Sequence, residues 1–143
     1  MPEGEGPFPL LLERTPYGKH LPSRSEIRAA DPSKPLSRAE VAQYFVRRGY
    51  AVAYQDTRGR YASEGEDRVY ADDAADGYDT LEWISAQPWS NQRVGMSGSS
   101  AGATTTLAAA STRHPSLRAF FAQVGGASIY DDVVYEGQSI EIE

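Results

Sequence analysis

The sequence predicts an α/β fold with a mostly parallel sheet and helices on both of its faces. Two observations carry this expectation. Short β-prone runs alternate with segments of helical periodicity in the order β-α-β-α-β-α-β, and strands separated by helices of ten or more residues pair in parallel through right-handed crossovers. The two longest connections, Thr15–Leu36 and Thr57–Val69, each leave the carboxyl end of a predicted strand. That is where ligand-binding loops lie in open α/β sheets, so both are candidate site loops.

The elements follow in order. Pro9–Glu13 is a leucine-rich apolar run entered from a Gly/Pro segment and left at Thr15-Pro16, the pattern of a buried strand. Ser37-Arg38-Ala39-Glu40 is a Ser-x-x-Glu capping box; Val41, Tyr44 and Phe45 follow at helical spacing, and Gly49 ends the helix. Tyr50–Gln55 is short and β-prone and closes at Asp56, giving a second strand. Ala74, Ala75, Tyr78, Leu81, Trp83 and Ile84 mark a second helix, with Asp72 and Asp73 near its start, where carboxylates suit the helix dipole, and Pro88 after its end. Arg93–Met96 is a third strand, Ala101–Thr112 a helix of small residues, and Leu117–Val124 a fourth strand.

A length of 143 residues is one domain's worth and supports a single hydrophobic core. There is no cysteine, which excludes disulfides and thiolate metal sites. Two histidines 94 positions apart offer no metal-ligand spacing, so neither a metal nor another cofactor is expected. A net charge of −6 opposes nucleic-acid binding. Apolar runs such as Leu10-Leu11-Leu12 fall far short of the ~20 residues that span a bilayer, and the start at Met1-Pro2-Glu3 has no signal-peptide pattern. Neither a nucleic acid nor a membrane is therefore an expected partner, and the default location is the cytoplasm.

Gly98-Ser99-Ser100-Ala101-Gly102 has the pattern Gly-x-Ser-x-Gly between a predicted strand and a predicted helix. In that setting the motif is a nucleophile elbow: a strained turn projects the serine hydroxyl above the sheet, and flanking glycines leave room for the backbone. Ser100 is the only one of the three neighbouring serines with a glycine two residues away on both sides. The competing reading is an ordinary turn whose serine caps the helix. Asp56 and Arg58, at the end of the second strand, are expected to form an ion pair that shapes the following loop, in preference to a catalytic role.

Several blocks together resemble one family. Arg14-Thr15-Pro16-Tyr17-Gly18-Lys19, Tyr54-Gln55-Asp56-Thr57-Arg58-Gly59 with Ser63-Glu64-Gly65, Thr80-Leu81-Glu82-Trp83-Ile84 leading into Gln87-Pro88-Trp89, and Val94-Gly95-Met96 with the elbow are similar, in order, to the X-prolyl dipeptidyl-peptidase and cocaine-esterase-like serine α/β-hydrolases. Ser128-Ile129-Tyr130-Asp131-Asp132 resembles the family's continuation. The resemblance implies a partial α/β-hydrolase fold, with residues 1–143 as the N-terminal portion of a catalytic domain. Two antiparallel strands would precede Pro7, and further strands and a helical cap would follow residue 143.

It also implies roles. Ser100 would attack a carbonyl carbon and form an acyl-enzyme. The Tyr17 phenol and the backbone N–H of Ala101 would form the oxyanion hole. Relatives usually carry tyrosine at the Ala101 position; alanine keeps the N–H and removes an aromatic wall. Asp131 and Asp132 are expected to form a solvated acidic turn, in preference to binding a substrate ammonium as carboxylates do in some relatives acting on α-amino acid esters. The fold's chain order is Ser, then Asp or Glu, then His. His20 precedes Ser100, and His114 stands a helix length from it, about 20 Å away and far beyond the reach of a general base. The base and its acid are therefore expected outside this chain. The expected function is hydrolysis of a small ester, amide or short peptide, the alternative being a non-catalytic binding module on the same scaffold.

Overall fold

The computed structural model describes residues 1–22, 31, 33–126 and 128, together with the backbone of 135–136 and 139–140. Asp131 and Asp132 lie outside the described residues. Strands β1 (Phe8–Thr15), β2 (Ala51–Asp56), β3 (Ser90–Ser99) and β4 (Leu117–Gln123) alternate with helices α1 (Arg38–Val46), α2 (Asp73–Ser85) and α3 (Ala101–Ser111). The strands form one sheet in the order β2-β1-β3-β4, parallel throughout. A two-stranded antiparallel pair, β5 (Tyr135–Glu136) and β6 (Ser139–Ile140), had no sequence signal. The alternating order is as the sequence predicts; β1 and β3 run longer than their apolar cores because polar residues at their ends also join the ladder. No helix among the described residues is long and apolar enough to cross a membrane.

Chain order and sheet order together create a switch point. From β1 the chain moves outward to β2, then crosses back over β1 to β3 and continues outward to β4, so the connections diverge between β1 and β3. A crevice opens at the carboxyl ends of two such strands. Those ends are Thr15 and Ser99.

Alternation along β1 sorts its side chains between the two faces. Leu10 and Leu12 pair in register with Ala51 and Ala53 on one side and with Val94 and Met96 on the other. With Leu81 and Ile84 of α2 and Ala109 of α3 they make the buried core. The opposite face carries Leu11, Val52 and Tyr54, against which Val41 and Phe45 of α1 border a groove of about 400 Å³. The capping box forms as read, with Ser37 Oγ accepting from Glu40 N and Glu40 Oε2 accepting from Ser37 N. Tyr44 turns away from the sheet, under the Arg48 guanidinium at 3.6 Å. Helices α2 and α3 approach closely at Gly77, where a Cβ would come within 2.6 Å of the Ala109 methyl.

Arg14 points into the core face, next in line after Leu10 and Leu12, and is 1% exposed. Its Nε donates to Gln55 Oε1 (3.0 Å), its Nη1 to the Asp73 carbonyl (2.9 Å), and its Nη2 pairs with Asp73 Oδ1 (3.1 Å). Its own carbonyl accepts from Thr105 Oγ1 of α3 at 3.0 Å. One residue thus ties β1 to β2, α2 and α3. Asp73 was expected to serve the helix dipole; here its carboxylate meets a buried cation. Burial lowers the Arg14 guanidinium pKa, and burial, working against the attraction of Arg14, raises that of the Asp73 carboxyl. Both shifts run against the charged forms, so the pair acts as a constraint on geometry more than as a net source of stability. Asp73→Ala should therefore destabilise the fold by about 3 kcal/mol, because it leaves buried Arg14 with only the Asp76 carboxylate, 3.7 Å away, whereas Arg14→Met combined with Asp73→Leu should cost much less. Urea denaturation of the two variants checks the order.

Candidate active site

At the carboxyl end of β3 the chain turns directly into α3 through Ser100, whose φ of 55° and ψ of −127° lie where a non-glycine residue is strained. Local contacts hold it there. Ser100 N donates to the Gln123 carbonyl of β4 (2.9 Å), and the Ser100 carbonyl accepts from Ala103 N (2.8 Å). The Ser100 side chain makes no capping bond to α3. The capping alternative thus does not describe this serine, whose side chain is exposed at the switch point.

The two flanking glycines differ in what they do. A Cβ on Gly98 would lie 2.1 Å from the Gly102 carbonyl oxygen, an overlap no backbone adjustment of ordinary size relieves. A Cβ on Gly102 would meet only the Arg14 carbonyl oxygen, at an ordinary 3.6 Å. The expectation that both glycines make room therefore holds for Gly98 alone. Gly102 contributes its carbonyl, which packs on Gly98 and accepts from Thr105 and Thr106 hydroxyls. A third glycine, Gly125, passes so close behind the turn that its Cβ would reach within 3.1 Å of the Ser100 carbonyl oxygen.

Tyr17 enters from the loop after β1. Its phenol donates to Ser100 Oγ at 3.0 Å and accepts from the Ala101 N–H at 3.3 Å. Ser100, Tyr17 and Ala101 thus meet across 83 and 84 positions of sequence. The Tyr17 N–H is held by Thr15 Oγ1 at 3.1 Å. The second long loop packs on the first: Tyr61 lies against Gly18, and Arg60 Nε approaches the Pro16 carbonyl. Tyr70, at φ 66°, borders the same region; burial raises its phenol pKa, and proximity to Tyr17 adds to the effect.

Asp56 and Arg58 do not pair with each other. Asp56 is buried and accepts from Lys19 N at 2.6 Å, with Lys19 Nζ at 3.8 Å. Arg58 forms a two-point pair with Asp76 of α2. The strand's end explains the separation: Asp56 completes β2 facing the Tyr17 loop, whereas Arg58 lies past the strand, where its alternation no longer holds, and turns outward over α2. His114 sits at the far end of α3, 3% exposed, between Glu82 Oε1 (2.6 Å) and Ser116 Oγ (2.8 Å). Among the described residues no hydrogen bond joins a histidine to Ser100.

Sequence reasoning missed Arg38, Lys19 and Gly125. Arg38 carried a signal: a cation in the first turn of a capped helix opposes the dipole, so a charge kept there has a partner elsewhere. That partner is the Tyr17 loop, whose Gly18 carbonyl accepts from Arg38 Nη1 at 3.1 Å.

The parallel sheet with a strained serine turn at its switch point is an α/β-hydrolase arrangement. It superposes on a CocE/NonD family hydrolase from Staphylococcus aureus with a TM-score of 0.76 at 26% identity, over 95% of this chain and 26% of that one. It also superposes on an α-amino acid ester hydrolase with a TM-score of 0.67 at 32% identity, over 92% of this chain and 23% of that one. The profile of the X-Pro dipeptidyl-peptidase (S15) family matches residues 1–143, and the chain belongs to that family of serine hydrolases. Cocaine esterase of Rhodococcus sp. is 40% identical over 129 residues, which are 90% of this chain and 21% of that enzyme. The chain thus spans about a fifth of the length of the curated relatives it matches.

The different roles of the glycines can be checked directly. Gly98→Ala should abolish or severely destabilise folding, by more than about 3 kcal/mol, as overpacking against fixed backbone does. Gly102→Ala should be neutral or stabilising by up to about 1 kcal/mol, since alanine suits a helix better. Thermal melts of both variants give the comparison.

Proposed function

We propose that this chain forms the nucleophile-bearing part of a serine hydrolase acting on small esters, amides or short peptides through an acyl-enzyme at Ser100. The observation that carries the reading is the Tyr17 hydroxyl poised between Ser100 Oγ and the Ala101 N–H. When Ser100 Oγ attacks a carbonyl carbon, the carbonyl oxygen gains charge beside those same two groups. The Tyr17 O–H can exchange its bond to Ser100 for one to the oxyanion while the Ala101 N–H donates alongside it. Donors already in place cost no reorganisation as charge develops, and losing one such donor typically slows turnover about a hundred- to a thousandfold. Support for ester chemistry comes from the cocaine esterase and the α-amino acid ester hydrolase among the similar proteins. Alanine at position 101 supplies the amide without a bulky side chain, leaving the acyl side of the site open.

The proton leaving Ser100 needs a base, and His114 is committed to Glu82 and Ser116 at the other end of α3. In this reading residues 1–143 are the front of a larger catalytic domain, and the base and its orienting acid come from elsewhere in that domain. The coverage of about a fifth of the relatives supports it. The same observation favours a second reading, a scaffold that binds without turning over.

A fluorophosphonate distinguishes the two. Ser100 Oγ attacks phosphorus, fluoride leaves, and the serine proton passes to the base that the rest of the catalytic domain supplies. The full-length protein should gain one phosphonyl group at Ser100, located by peptide mass spectrometry, and should hydrolyse an activated aryl ester, whereas residues 1–143 alone should hydrolyse it no faster than their Ser100→Ala variant. Label spread over other serines, or absent from Ser100, contradicts the nucleophile assignment. Aryl-ester turnover by residues 1–143 alone, abolished by Ser100→Ala, shows instead that a base is present within the chain.

A further inference from the structure

We propose that Arg38 and Asp56 are positioning residues for the Tyr17 phenol: they grip the segment after Tyr17 by its main chain and thereby fix the hydroxyl over the Ala101 amide. The inference rests on the reading of Tyr17 as an oxyanion donor. Arg38 opens α1 and is 4% exposed. Its Nη1 donates to three successive-turn carbonyls, those of Gly18 (3.1 Å), Leu21 (2.6 Å) and Pro22 (3.3 Å). Its Nη2 donates to Glu13 Oε1 (2.8 Å) and approaches Thr15 Oγ1 (3.4 Å), the oxygen that also holds the Tyr17 N–H. Asp56 ends β2 and is 2% exposed; its Oδ1 accepts from the Lys19 main-chain N–H at 2.6 Å.

The cation therefore takes carbonyls and the anion takes an amide of the same five-residue stretch. Tyr17 is left between two fixed points, Thr15 and Gly18, with only its side-chain torsions free.

Stability alone does not explain this choice of residues. Arg38 Nε is buried without a hydrogen-bond partner, and so is Asp56 Oδ2, which has only the Lys19 ammonium 3.8 Å away, beyond hydrogen-bond reach. Buried charges that are incompletely satisfied cost more than apolar side chains of the same size. What the two have in common is the Tyr17 loop, and a displacement of about 1 Å in a catalytic group is enough to lower a rate a hundredfold.

The test is a double-mutant cycle on the rate of Ser100 phosphonylation by a fluorophosphonate, read by mass on the full-length protein, where the base that activates Ser100 is present. Asp56→Ala and Arg38→Met are each made on the native sequence and on Tyr17→Phe. On the native sequence each should slow labelling by about tenfold or more, comparable to Tyr17→Phe itself. On the Tyr17→Phe background neither should slow it further by more than about twofold, because the hydroxyl they position is already gone. Asp56→Asn keeps an acceptor for Lys19 N–H and should stay within about threefold of the native rate. It also keeps the test decisive where Asp56→Ala does not fold. Equal further losses on the Tyr17→Phe background overturn the inference, since the clamp would then act on the fold and not through the phenol. So does native labelling in both Asp56→Ala and Arg38→Met. If Tyr17→Phe alone labels at the native rate, the oxyanion reading itself fails, a result distinct from the other two.

Discussion

The Arg14 guanidinium is withdrawn from water between the sheet and α2, and the geometry of the crevice above it depends on the carboxylate it meets there. Without Asp73 the cation would keep only the more distant Asp76 carboxylate; without Arg14 the start of α2 and the Gln55 side chain would lose their common donor. The same residue's carbonyl accepts from Thr105 in α3, the helix that Ser100 begins. Strand β1 thus fixes, within two residues, the helix beneath the elbow and the loop that carries Tyr17. Such a pair contributes little net stability, because burial opposes both charges, but it strongly disfavours other placements of α2 and α3.

The end of β1 divides its work by alternation. Arg14 faces α2 and α3; Glu13 and Thr15 face α1 and meet Arg38. A strand directs side chains to two faces at no extra cost, and here the two faces orient the two halves of one site. The elbow is held from below by the Arg14 side and from behind by β4, through Gln123 and the close passage of Gly125. The Tyr17 loop is held by charges from α1 and β2. Ser100 can remain in a strained conformation because its neighbours on every side are fixed by contacts that do not involve it.

Much of this was legible in the sequence. The alternation of elements, the capping box at Ser37 and the elbow at Ser100 each follow from local rules, because cap chemistry and apolar periodicity act within a few residues. The Tyr17 position came from resemblance to a family, since a single tyrosine after a strand carries no local mark of its role. What was not legible was pairing at long range. Asp56 looked like a partner for Arg58 two residues away, yet one faces the Tyr17 loop and the other α2. Likewise Asp73 read as a helix-dipole residue because its partner lies 59 positions earlier. The unequal needs of Gly98 and Gly102 arise from one carbonyl's approach, which a symmetric motif does not encode.

The most direct measurement is a crystal structure of the full-length protein after phosphonylation of Ser100. The phosphonyl oxygen then stands where an oxyanion would. The account predicts that oxygen within about 3 Å of both the Tyr17 hydroxyl and the Ala101 nitrogen, with Tyr17 released from Ser100 Oγ and the 18–22 segment unmoved. A phosphonyl oxygen turned to solvent, with Tyr17 swung away from Ala101, would contradict it.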